Sequence, residues 1–292
     1  MRRLLESVKG SVAALALGLN VLVVFTCMMP FALVKLVVPA KAVRRVCDHA
    51  LNALAFRWIA FNDFLMAAAG RTRWDIHGLA GLKHRGWYLV SANHQSWTDI
   101  LVLQKVFRGR IPFLKFFLKE ELKWVPVIGL AWWALDFPFM KRGKKGGRSD
   151  FETTRIACEK FRLIPTSVIN FVEGTRFTKA KHAKQSSPYR HLLKPRAGGM
   201  AVALATMGED FDALVDVTIA YPAGTPTFWD LLCGRMKEVV VRVEQRPIPR
   251  ELVGVADFGD AAFRRGVQEW IAQMWDEKDR QLDELLARAA SR

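Results

Sequence analysis

From Gly10 to Val34 no charged residue interrupts the chain, GSVAALALGLNVLVVFTCMMPFALV. A run of this length is about what a helix needs to cross a hydrocarbon core of roughly 30 Å. Pro30 lies inside it and Lys35 just beyond it, a residue that breaks helical hydrogen bonding and one that snorkels towards an interface. A single span and a bent re-entrant hairpin both stay open. A cleaved signal peptide fits poorly, because the run outlasts an ordinary signal core and the small-residue site Ala40-Lys41-Ala42 lies beyond Lys35 and Pro39. A second apolar stretch, LNALAFRWIAFNDFLMAAAG from 51 to 70, is broken by Arg57, Asn62 and Asp63. It predicts a helix lying on a membrane or packed on the following domain rather than a second span.

Past residue 70 the pattern changes to short β-rich runs separated by helical periodicity. WYLVSAN, SVINFVEG, LVDVTIAY and EVVVRVEQ read as strands. TDILVLQKVF reads as a helix opening at Thr98 or Asp99, and SDFETTRIACEKFRL as another capped by Ser149 or Asp150. Val267, Trp270, Ile271, Met274, Trp275, Leu282, Leu285 and Leu286 recur at largely helical spacing and predict a long packed C-terminal helix. The alternation defines an α/β domain with a mixed or parallel sheet flanked by helices. The organisation expected is a membrane-anchoring helical segment over 1–70 and a globular domain over 71–292.

The net charge of +16 points to an anionic partner: a membrane surface, a phosphorylated substrate or nucleic acid. Its location narrows the choice, since residues 141–196 hold 15 Lys and Arg against 4 Asp and Glu. The aromatic residues cluster with apolar ones and form no RNA- or DNA-binding signature, which argues against nucleic acid. Cys27, Cys47, Cys158 and Cys233 show neither C-x-x-C spacing nor a nearby His cluster, so no metal site and no disulfide framework is indicated. A reducing, cytoplasmic setting fits the domain.

Two strand exits carry the chemistry. SANHQSWTD places His94 five residues before Asp99, with Asp99 in the first turn of a helix. There a carboxylate can orient the imidazole and stabilise its protonated form while the other ring nitrogen accepts a proton. No Ser or Cys sits at a nucleophile elbow, so the substrate's own hydroxyl is the expected nucleophile. Taken alone, the pair also fits a turn cap and a helix cap. The second exit, FVEGTRF, supplies Glu173, Gly174, Thr175 and Arg176. A guanidinium beside a hydroxyl and free backbone N–H groups suits a phosphate, and Glu173 is placed to position the arginine or bind a glycerol hydroxyl. Arg142 in PFMKRGKKGGR is a second phosphate contact, and Lys194 or Arg196 in LLKPRAGG a further anion contact. The glycines near Lys144 do not make a P-loop.

NHQSWTD followed some 75 residues later by EGTR, with an Arg-bearing PFMKR between, resembles the lysophosphatidate (1-acylglycerol-3-phosphate) acyltransferase superfamily. PFLKFFLKEELKWVPVIGLAWWALDFPFMKR and LLKPRAGG are most similar to its YihG-like branch of bacterial inner-membrane acyltransferases. The resemblance implies transfer of a fatty acyl chain from acyl-CoA or acyl carrier protein to the free hydroxyl of a lysophospholipid, without an acyl-enzyme, a metal or a bound cofactor. It implies His94 as general base, Asp99 as its partner, and Arg142, Glu173, Gly174, Thr175 and Arg176 as contacts to the acceptor's phosphate and glycerol. Membrane lipids are the implied partners, and the inner membrane with the domain on its cytoplasmic side the implied location. The superfamily's usual proline between valines is displaced here, Pro222 standing only after VDVTIAY. A membrane-anchored scaffold without catalysis, binding anionic lipid or nucleic acid, is the competing expectation.

Overall fold

Val, Ile and Leu at consecutive strand positions favour a sheet covered on both faces, and this is what they build. The computed structural model describes residues 1–70, 72–137, 139–140, 159, 161, 164–254 and 260–290. Its strands are β1 (Arg73–His77), β2 (Tyr88–Ala92), β3 (Leu114–Phe116), β4 (Leu118–Lys119), β5 (Phe139–Met140), β6 (Ser167–Phe171), β7 (Ala213–Ala220) and β8 (Glu238–Arg246). Six of them form one sheet in the order β1-β8-β7-β2-β6-β3, and β4 pairs with β5 separately. The β7–β8 pair is antiparallel and the other pairs are parallel, so the sheet is mixed.

The described helices are α1 (Arg2–Val37), α2 (Lys41–Ala69), α3 (Thr98–Phe107), α4 (Ile128–Ala134), α5 (Lys179–Gln185), α6 (Gly198–Met207), α7 (Phe228–Leu232) and α8 (Ala261–Ala290). On one face of the sheet Val102, Val106 and Phe107 of α3 pack on Val90, Ile169, Val217 and Val241. On the other, Met200 and Leu204 of α6 and Val267, Ile271 and Trp275 of α8 pack on Leu89, Val168 and Leu214. The expected C-terminal stripe is therefore core. Lys278, on α8, is completely buried; its Nζ donates to the Val217 carbonyl at 2.8 Å and pairs with Asp216 at the same distance. Burial lowers the pKa of this ammonium, with Asp216 acting against that fall.

The four runs read as strands are β2, β6, β7 and β8. β1 was not anticipated, because Arg73, Asp75 and His77 break its apolar character and it lies at the sheet edge, largely half-buried. β3, β4 and β5 are too short to leave a period. The helix expected over SDFETTRIACEKFRL lies outside the described residues except Glu159 and Phe161, as does the basic loop that follows PFM.

The apolar N-terminal run is one continuous helix, long and apolar enough to cross a membrane. It passes through Pro30, which forgoes one helical N–H bond. Large apolar side chains remain exposed along it, among them Leu15, Leu19, Leu22 and Leu33. Its opposite face packs on α2 and on the domain: Met28 and Ala32 join Leu51, Ala55 and Ile59 of α2 against Phe113, Leu135 and Phe137. The structure corrects the expectation for Lys35. Its Nζ turns inward to pair with Asp48 at 2.6 Å and with Asp136, and Arg44 also reaches Asp136 at 3.1 Å. Residues 51–69 belong to α2, packed on α1 and α3.

Candidate active site

Parallel strands deliver their exits to one edge of a sheet, where ligand sites of open α/β folds collect. Ala92 of β2 stands opposite Phe171 of β6, so the two motif loops leave side by side. Phe177 N–H donates to the His94 carbonyl at 2.7 Å and ties the loops together. Asn93 does the same towards β7, its side chain exchanging two hydrogen bonds with the backbone of Ile219.

His94 and Asp99 meet as the sequence suggests. Nδ1 of His94 lies 2.8 Å from Oδ2 of Asp99, and Asp99 is completely buried. The same oxygen accepts from Gln95 N and Ser96 N at 2.6 and 2.8 Å, while Oδ1 accepts from the Tyr221 hydroxyl at 2.6 Å. Three donors and the ring fix the carboxylate, and the His94 ring stacks on Phe171 at 4.0 Å between centroids. That leaves Nε2 facing the adjoining cavity. Burial and the nearby Asp99 charge raise the Tyr221 pKa well above the usual phenol range, which keeps the hydroxyl a donor.

The E-G-T-R turn is arranged differently from expectation in one respect. Glu173 is completely buried, its two oxygens accepting from His94 N at 2.7 Å and Leu193 N at 3.0 Å. It clamps the loop that carries His94 and has no free oxygen turned to the surface. Burial pushes its carboxyl up to about 8, against the two N–H bonds that favour the charged form. Gly174 has φ of 67°, a conformation that favours glycine, and a Cβ there would stand 3.2 Å from the Arg196 side chain. Thr175 Oγ1 accepts from Lys181 Nζ at 2.7 Å, and the Arg176 guanidinium lies over the Trp97 ring at 4.7 Å.

His94, Gly174, Thr175, Arg176 and Arg196 line one cavity of about 780 Å³. Its other walls are mostly apolar, with Phe25 and Met28 of α1, Ala55 of α2, Phe113, Phe116 and Ala131 of α4 among them. The cavity thus has a basic, hydrogen-bonding end and a hydrocarbon end. Arg196 joins it as expected, whereas Lys194 is turned out to solvent. Arg142 lies outside the described residues. Sequence reasoning missed Trp97, Tyr221 and Asn170. Asn170 lines the same cavity with a buried Nδ2 that has no partner among the described residues, and Gly199 leaves room for it. Trp97 lies within the first motif and Asn170 three residues before Glu173, whereas only the pairing of β7 with β2 brings Tyr221 to them.

A mixed sheet that sets a His–Asp pair and an E-G-T-R turn at the mouth of an apolar cavity marks an acyl-transfer fold, and the comparisons agree. The profile of the Acyltransferase family matches residues 73–222, about half of the chain, and the chain belongs to that family. It is similar to 1-acyl-sn-glycerol-3-phosphate acyltransferase epsilon of Mus musculus, 24% identical over 227 residues, covering 69% of this chain and 59% of that protein. It is 28% identical over 222 residues to 1-acyl-sn-glycerol-3-phosphate acyltransferase 3 of Arabidopsis thaliana, covering 70% and 54%. It is 29% identical over 180 residues to lysocardiolipin acyltransferase 1 of Danio rerio, covering 58% and 44%. The chain spans about half the length of the curated relatives it matches. The crystal structure of the 1-acyl-sn-glycerophosphate acyltransferase PlsC from Thermotoga maritima superposes with a TM-score of 0.50 at 18% identity, over 95% of this chain and 97% of that one. That likeness is one of fold.

Proposed function

We propose that this protein is an O-acyltransferase that moves a fatty acyl chain from acyl-CoA or acyl carrier protein to the free hydroxyl of lysophosphatidic acid or another lysophospholipid. The observation that carries the proposal is the His94–Asp99 pair at the junction between the basic and the hydrocarbon ends of a single cavity. The acyl chain lies in the apolar part, placing its thioester carbonyl beside His94. The acceptor hydroxyl attacks that carbonyl as His94 Nε2 takes its proton, and Asp99 stabilises the imidazolium. The tetrahedral intermediate collapses with cleavage of the C–S bond, and the proton passes from His94 to the departing thiolate. A thioester is already activated, so general-base help worth roughly 10²- to 10⁴-fold and positioning suffice without a protein nucleophile.

Arg176 receives the acceptor's phosphate, with Arg142 and Arg196 as further cationic contacts and Asn170 Nδ2 as a neutral donor. Gly174 and Thr175 shape the turn that presents them. Glu173 acts by holding the His94 loop. The chain falls, in this reading, in the YihG-like branch of inner-membrane enzymes, with residues 1–70 as anchor and 71–292 as the catalytic domain on the cytoplasmic side. Contacts along α1 favour an anchor lying beside the domain. A Cβ on Gly10 would strike Cys233 Sγ at 2.6 Å, and Lys35 at the other end pairs with Asp136. A helix crossing upright would carry those parts of the domain into the bilayer with it.

The decisive experiment uses membranes containing the protein or its His94→Ala variant, with radiolabelled oleoyl-CoA or oleoyl-carrier protein and a panel of lysolipids. Diacyl product that depends on His94 supports the proposal and names the acceptor. Product from neither donor with any acceptor sinks it in favour of a non-catalytic scaffold.

A further inference from the structure

Two residues in the hydrocarbon part of the cavity do not suit a plain hydrocarbon. Gln104, on α3, is only 7% exposed, lines the cavity, and has an Oε1 that no donor among the described residues reaches. Trp58, on α2, lines the same space with a buried Nε1 that is likewise unpartnered. Elsewhere the lining of this cavity includes Phe25, Met28, Ile100, Phe113 and Leu135. A buried polar group without a partner is costly, and Leu or Met in place of Gln104 would fill the space without that cost. The two orphaned groups are complementary in kind, an acceptor at Gln104 Oε1 and a donor at Trp58 Nε1. A hydroxyl is both donor and acceptor and answers either.

Their depth separates them from the reaction itself. Gln104 lies five residues beyond Asp99 on α3, about 7.5 Å along the helix at 1.5 Å per residue. The basic residues that receive a phosphate in the proposed function, Arg176 and Arg196, come from the loops beyond β6 and not from α3. A substituent meeting Gln104 therefore sits part-way along the acyl chain, not on the acceptor head group.

We infer that the pocket is built for an acyl chain bearing a hydroxyl, with Gln104 as its main contact and Trp58 as its second. The inference rests on the acyltransferase reading above and names the class of its donor, a hydroxyacyl thioester. A site that hydrogen-bonds a substrate hydroxyl discriminates strongly against the analogue lacking it, whereas an apolar pocket rejects an added hydroxyl only weakly. Gln104 is thus a specificity-determining residue.

The test compares kcat/KM for stearoyl-CoA and for hydroxystearoyl-CoA isomers with the hydroxyl near the thioester, at mid-chain and near the methyl end, using the full chain in membranes. The expected result is a preference of about tenfold or more for at least one isomer, the mid-chain one foremost. In Gln104→Leu that isomer loses about tenfold while stearoyl transfer gains roughly threefold. Trp58→Phe lowers the same ratio by less, and provides the comparison should Gln104→Leu fail to fold. His94-dependent stearoyl transfer with no preference for any isomer, or a preference that survives Gln104→Leu, overturns the inference and leaves the acyltransferase reading standing. Transfer of no thioester at all overturns both.

Discussion

Tyr221 and Asp99 are joined by a buried hydrogen bond of 2.6 Å, the phenol donating to Oδ1, while His94 holds the other carboxylate oxygen. The first residue beyond β7 thereby sets the partner of the proposed base. Tyr221→Phe removes one donor from the carboxylate and strengthens its pull on the imidazolium. With the carboxylate less firmly held, kcat/KM falls by about tenfold. An unchanged kcat/KM with normal folding would leave Tyr221 a packing residue.

His94→Ala abolishes transfer, by at least about 10²-fold, without unfolding the protein. Asp99 keeps Gln95 N, Ser96 N and Tyr221 as donors when the ring is gone, so the loop stays organised. Circular dichroism and turnover measured on the same preparation separate the two effects, and retained turnover would contradict the role.

Arg176→Ala raises the acceptor KM by about tenfold or more and leaves kcat less affected, because the guanidinium binds the phosphate and does not touch the thioester. Trp97→Ala acts in the same direction, since the ring beneath Arg176 holds it in place. Steady-state kinetics with a lysolipid of intact phosphate, set against one lacking it, reads the difference.

Glu173→Gln changes how stability depends on pH. The folded protein binds the Glu173 proton up to about 8, whereas an unperturbed carboxyl releases it near 4.5. Between those values the native state holds more protons than the unfolded chain, so this group lowers stability progressively as pH rises. Denaturant unfolding in mild detergent at about pH 5 and about pH 8 shows wild type losing stability relative to the variant. A constant difference would refute the assigned protonation.

Asp136→Ala leaves Lys35 and Arg44 to share Asp48 alone in a largely buried cluster. Stability falls by roughly 3 kcal/mol, as expected when one partner of a buried ion group is removed. Limited proteolysis detects α1 loosening from the domain, and unchanged protection would show that the apolar contacts alone hold it.

The central strands were legible in the sequence because burial on both faces demands largely apolar runs rich in β-branched residues, as in LVDVTIAY. The His–Asp spacing was legible because a single turn determines it. β1 was not, since an edge strand tolerates Arg73, Asp75 and His77. The inward turn of Lys35 was hidden because its partners Asp48 and Asp136 come from distant segments. Glu173 looked like a ligand-facing acid from its motif, and only the third dimension supplies the two N–H groups that consume it. Tyr221 and Gln104 carry no local signal at all, because what matters about each is a neighbour chosen by register or helix packing.

The edge position of β1 has a consequence for how the molecule is made. β1 pairs only with β8, Arg73 standing opposite Glu238. Chains emerge from the ribosome amino end first, at about 5–20 residues per second. The apolar helix α1 is therefore free to seek lipid for on the order of ten seconds before the strand that completes the sheet exists. A chain whose α1 takes up lipid in that interval is anchored before its sheet can close.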